Sequence, residues 1–272
     1  MWQLPYQKIN QVHKIVETDN QPLTVYITIK TNGNKKFRVW CEEYGRVNSR
    51  YADRCIKVEG KRTIYFSLPV TPKRMFFGCL NTENPQDKDF TMEIMQTPAR
   101  SYDIQMDGEA NSFMQFAIQF SQTCGFMNPS PNGTVIKSPD GMFTIKYFPT
   151  IIDYKTGRTV NTPARIGHKT GTIEVSKQKF DYYTIPMRVM ILLHEFSHKY
   201  RNTKIGLPIS HESGADVNGL YLYLGVGFSK VDAICVFGKV FLKAQTDSNI
   251  QRMRKIQDYI QRFENQEYAK LN

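Results

Sequence analysis

The feature that most constrains the fold is a change of period near residue 100. Residues 21–98 alternate apolar and polar side chains, as in TVYITIKT (24–31) and KKFRVWC (35–41), the pattern of strands with one buried face. NGN (32–34) lies between those two runs and predicts a hairpin turn. CIKVEG (55–60), KRTIYFSL (61–68), KRMFFGCL (73–80) and DFTMEIMQT (89–97) predict further short strands divided by Gly, Pro and Asn. Together they predict an antiparallel β-sandwich or barrel of about 75 residues.

Beyond about residue 109 the spacing becomes helical. Phe113, Phe116, Ala117 and Phe120 share one helical face, and Gly125 follows. NPSPNG (128–133) reads as a turn, and residues 141–154 and 171–180 as strands. Pro186 suits the first turn of a helix running through Met187, Met190, Ile191, Leu193 and His194. A second helix is expected from Glu212. Ser229 and Asp232 stand at capping-box spacing. Ile250, Met253, Ile256, Ile260 and Phe263 form the stripe of a final helix, read as a packing face. The fold class is therefore α+β in three parts: a β-rich accessory or interaction domain over 1–100, a second domain over 101–228, and C-terminal helices over 229–272 that pack on it.

The net charge of +11 is spread over the chain, as +5, +3 and +3 for residues 1–98, 99–228 and 229–272. A nucleic-acid binder would gather its basic residues on one stripe, so a nucleic-acid partner is not expected. The five cysteines form no CxxC, which argues against a disulfide framework and for a reducing compartment. No run approaches the roughly 20 apolar residues that span a bilayer, and MWQLPYQKINQ does not read as a signal peptide. A cytoplasmic or virion-associated location without membrane contact is expected.

The chemistry concentrates in MILLHEFSHKYRN (190–202). Residues i and i+4 of a helix point the same way, so His194 and His198 can offer ring nitrogens to one ion, while Glu195 can take a proton from a water beside it. With five His and twelve Glu in the chain, random placement gives HExxH about 0.004 times. Catalytic zinc takes three protein ligands and leaves one position open. Fourteen residues on, in HESGAD, Glu212 is placed to reach the ion and Asp216, one turn later, to accept from a ligand histidine. His211 is an adjacent rival to Glu212.

HEFSH (194–198) followed by ESGAD (212–216) resembles the gluzincin branch of the zincin metallopeptidases, with HExxH and then ExxxD on a downstream helix. Thermolysin-like enzymes share the spacing of the second motif, and the short gap is nearer to ImmA/IrrE-type peptidases. The resemblance covers roughly residues 105–228. It implies a zincin-like catalytic domain, zinc (Zn2+) held by His194, His198 and Glu212, Glu195 as general base, Asp216 behind the ligands, and a peptide or protein substrate. It also implies an edge strand ahead of the HExxH helix that pairs with substrate backbone, in the place of GTIEVS (171–176). The oxyanion-stabilising residue has no motif here; His168, Tyr182, Tyr221 and Tyr223 are candidates without rank, with His168 and Tyr221 put forward as substrate or oxyanion contacts. The metzincin pattern fails, with Arg201 and Lys204 where Gly and His are required.

The first functional expectation is therefore a zinc metallopeptidase. The alternative is a structural or interaction protein, for example a phage virion or tail component, that carries a zincin fold and assembles through its N-terminal β domain. A nucleic-acid-associated protease, suggested only by the basic pI, ranks third.

Overall fold

A computed structural model describes residues 12–99, 102, 104, 106–200, 212–242, 244 and 246–265. The chain is mixed α+β and divides into two compact units, Met1–Tyr102 and Asp103–Asn272.

The first unit is built on one long hairpin, β2 (Leu23–Glu43) against β3 (Arg50–Leu68). NGN is not its turn. The two strands stay paired from Leu23↔Leu68 to Glu42↔Arg50, with an irregularity between Lys30 and Asn34. Gly33 (φ +76°) and Gly60 (φ +66°) flank that irregularity. Glycine takes such angles without a Cβ penalty, so NGN bends the hairpin, and the chain reverses at residues 44–49 instead. The bend makes two half-sheets. β5 (Phe90–Pro98) pairs with the first half of β2 and β4 (Arg74–Asn81) with the second, and β1 (Val12–Glu17) adds to β4. Val25, Ile27, Ile29, Phe66 and Met92 from one half and Phe37, Val39, Met75 and Phe77 from the other are buried. Phe37 and Phe90 join the halves edge to face, with ring centroids 4.8 Å apart. The expected sandwich or barrel is thus one bent five-stranded sheet, and its strand path does not close among the described residues.

The second unit opens with α1 (Gly108–Thr123), capped by the Asp107 carboxylate, which accepts from the Ala110 N–H at 2.8 Å. A four-stranded sheet follows in the order β6 (Thr134–Lys137), β7 (Thr144–Phe148), β9 (Ile173–Ser176), β8 (Ala164–Ile166). β7 and β9 are parallel; the outer pairs are antiparallel. The strand expected over 141–154 is short because Pro149 cannot donate to a ladder. The one expected over 171–180 stops at Ser176, where α2 (Lys177–Phe180) begins.

α3 (Ile185–Ser197) carries Pro186 in its first turn and is buried along its whole length. Phe196 stacks on Phe113 of α1 at 4.1 Å. Even Arg188 is enclosed: its guanidinium donates to the Phe180 and Ser121 carbonyls at 3.0 and 3.2 Å. α4 (Glu212–Gly225) lies against α3 at Gly219, where an added Cβ would stand 3.1 Å from the His194 nitrogen and the Leu193 carbonyl. α5 (Lys230–Val236), a π-helical turn (Phe237–Phe241) and α6 (Asp247–Glu264) complete the unit. No helix among the described residues is long and apolar enough to cross a membrane, and all five cysteines are free.

Candidate metal centre

His194 occupies the last turn of α3 and His198 its C-terminal cap, still in helical conformation. Glu212 is the first residue of α4. The His194 and His198 Nε2 atoms are 3.2 Å apart. Glu212 Oε2 stands 3.5 Å from His194 Nε2, and its Oε1 stands 3.7 Å from His198 Nε2. Ligands held tetrahedrally about 2.0–2.1 Å from zinc are about 3.3–3.4 Å from one another. The three side chains therefore offer one donor atom each at a spacing that fits a single small cation.

The surroundings tune these donors. Asp216 is fully buried one turn along α4, and its Oδ1 lies 3.0 Å from His194 Nδ1, though off the ring N–H axis. That contact favours the proton on Nδ1 and leaves Nε2 as the free donor. Phe241 of the π-helical turn stacks on the His194 imidazole at 4.0 Å. Arg252 of α6 donates through Nε to Asp216 Oδ2 at 2.7 Å, and through a terminal nitrogen to Asp216 Oδ1 and Glu212 Oε2 at 2.9 and 3.1 Å.

The electrostatics of His194 and Glu212 favour a positive charge between them. Burial opposes protonation of His194, yet the Asp216 and Glu212 carboxylates beside it outweigh that and push its pKa up to about 9. His194 in turn holds Glu212 down to about 2, against its partial burial. Burial and then the His194 charge lower His198. Two carboxylates beside two imidazoles bind a proton strongly in the absence of metal. A divalent cation satisfies the same atoms.

Glu195 faces the sheet. Burial raises its pKa, with the Glu212 charge adding to the effect, while the His194 charge and a hydrogen bond from the Ile166 backbone N–H act the other way. Ile166 belongs to β8, and β8, not GTIEVS, is the edge strand: Ile173–Ser176 is paired on both sides, with β7 and β8. Ser176 N–H donates to Pro163 O and Gly167 N–H to Thr172 O, each at 2.9 Å. Residues 163, 165 and 167 thus face β9, and the backbone groups of Ala164 and Ile166 face the open edge.

The other candidates are dispersed. His168 is exposed on the β8–β9 turn, its ring centroid 6.1 Å from that of His198. Tyr221 is buried about two and a half turns past Glu212, on the opposite face of α4. Tyr182 is 81% exposed and Tyr223 stacks on Phe228. His211 lies outside the described residues. Sequence reasoning missed Arg252, Phe241 and β8. Arg252 did leave a signal: it stands one turn before Ile256 on an otherwise apolar stripe. Comparison with protein-family models and with curated proteins finds no match.

Proposed function

We propose that the second unit is a zincin-like, gluzincin-type domain and that the protein is a zinc-dependent metallopeptidase. The observation that carries this reading is the convergence of His194, His198 and Glu212 on one point, with Glu195 beside it and Asp216 behind His194. Two imidazoles and one carboxylate form a donor set suited to zinc. Zinc in that position would polarise a water and a peptide carbonyl, bringing the water's pKa toward roughly 7.

The chain's own groups supply the rest. Glu195, held by the Ile166 N–H, accepts the proton of the attacking water and delivers it to the leaving amine. Its pKa, raised by burial, suits a group that must both take and give a proton. An extended peptide adds to β8 through the outward Ala164 N–H and Ile166 carbonyl, the Ile166 N–H being held by Glu195. That pairing lays its scissile bond across the end of α3. His168, on the turn after β8 with its ring centroid 6.1 Å from that of His198, is the candidate donor to a developing oxyanion.

Metal content by elemental analysis, on wild type and His198→Ala purified without added metal, tests the reading. About one zinc per chain, lost in the variant, is the expected result. Zinc in neither protein would sink it.

A second reading keeps a specific observation of its own. On the outer face of the first unit, Met95 (59% exposed), Tyr26 and Tyr65 (57% exposed) form one row across β5, β2 and β3. Such a row suits docking in an assembly such as a phage particle. A stable homo-oligomer in solution without peptide hydrolysis at any zinc loading would favour that role over catalysis.

A further inference from the structure

We infer that Arg252 is a positioning residue of the metal centre, and that the C-terminal helix α6 is thereby part of that centre. The inference rests on the metal-site reading above and goes beyond its two motifs, which end at Asp216.

Glu212 and Asp216 lie one turn apart on α4, so their carboxylates share a face and repel. Arg252 stands between them. Its fork is bidentate on Asp216 and extends one further N–H to Glu212 Oε2. Glu212 needs that hold: its side chain is 56% exposed, whereas that of Arg252 is only 11% exposed. A long, exposed glutamate loses side-chain entropy when it is ordered, and the guanidinium orders it before a metal arrives. With Oε2 occupied, Oε1 is left facing His198. Asp216, fixed on both oxygens, keeps its Oδ1 3.0 Å from His194 Nδ1. One side chain therefore orients two of the three donors. α6 delivers it there because Ile256, Tyr259, Ile260 and Phe263 bury the helix along the same stripe.

Two effects compete. The guanidinium charge repels a cation, so its removal could tighten binding. Its removal also frees Glu212 and leaves a buried aspartate without a counter-charge. Loss of partners behind metal ligands usually weakens affinity about 10–100-fold, and the Arg252 charge is already neutralised by Asp216. Positioning therefore dominates.

The test uses the full chain as wild type, Arg252→Met and Arg252→Lys. Zinc affinity is read by competition with a chromophoric chelator and ligand geometry by the visible spectrum of the cobalt(II) form. The melting temperature of the metal-free protein reports the fold. Arg252→Met should weaken zinc binding about 10–100-fold and alter the cobalt spectrum. Lysine keeps the charge but not the fork, so Arg252→Lys should shift both in the same direction by less; it carries the test if the methionine variant does not fold. A purely structural tie between α6 and α4 would lower the melting temperature and leave affinity and spectrum at wild-type values. That outcome overturns the inference while the proposed function stands. A wild type that binds neither zinc nor cobalt overturns both.

Discussion

The two units treat their charged groups in opposite ways. In the first, ionic side chains meet partners near the surface: Arg38 and Arg50 both reach Asp53 at 2.7 Å, and Lys35 and Asn81 both reach Asp87 at 2.7 Å. In the second, His194, Glu195 and Asp216 are buried side by side where α3 meets α4. Burying ionisable groups costs free energy unless something pays that cost, and the first unit buries Glu42 singly, its pKa raised by burial and held back by Arg50 and Arg38. The second unit instead gathers several buried ionisable groups at one place, the arrangement expected of a chemical site.

The sharpest way to break this comparison is Glu195→Gln. The change keeps the shape and the Ile166 contact but removes proton transfer, so peptide cleavage should fall about 10²–10⁴-fold. Zinc content should remain at the wild-type level, because Glu195 is not among the three converging donors. Undiminished turnover by the variant would mean that the buried carboxylate is only a packing feature.

One chemical change made in both units sharpens the contrast. At Gly78 of β4 an added Cβ would stand 2.3–2.7 Å from the Trp40 indole. The ring must move, and Gly78→Ala should cost about 1–3 kcal/mol in denaturant unfolding. At Gly219 the neighbour is the backbone of α3, at 3.1 Å. The strain there is milder, and alanine recovers about 1 kcal/mol of helix propensity, so stability should change little. The helices must still part by a few tenths of an ångström, and the donors sit at their ends. Gly219→Ala should therefore be read in weakened zinc affinity. A Gly219→Ala protein of wild-type affinity would show that the α3–α4 distance does not set the site.

What the sequence disclosed, and what it hid, follows the range of the interactions. The His194–His198 pair and the Glu212–Asp216 pair each repeat within one helix, so spacing alone placed them on common faces. Pro186 and Phe113–Phe120 marked their helices for the same local reason. Arg252 meets Asp216 across 36 residues, and no local pattern encodes that meeting. β8 is three residues long and owes its place to pairing with β9, which alternation over so short a run does not reveal. NGN misled because Asn-Gly encodes positive φ rather than a reversal: a bend inside a long hairpin and the turn of a short one ask for the same backbone angles.

The smallest predicted effect tests the first unit's side of the comparison by pH. Asp87 is held down to about 2, first by the Lys35 hydrogen bond, then by the Asp89 N–H at 2.9 Å and by Asn81. An unfolded aspartate titrates near 3.9. Because the folded value is the lower one, the stabilisation is complete above about pH 4 and is lost as pH falls from about 4 toward 2. Asp87→Asn keeps one acceptor and removes the charge, so the first unit should be less stable than wild type above about pH 4, and the acid limb of its unfolding curve should flatten between about pH 4 and 2, where the two proteins converge. Circular dichroism of the sheet along an acid titration reads this directly. An acid limb identical in wild type and variant would mean that the Lys35–Asp87–Asn81 cluster does not stabilise the fold.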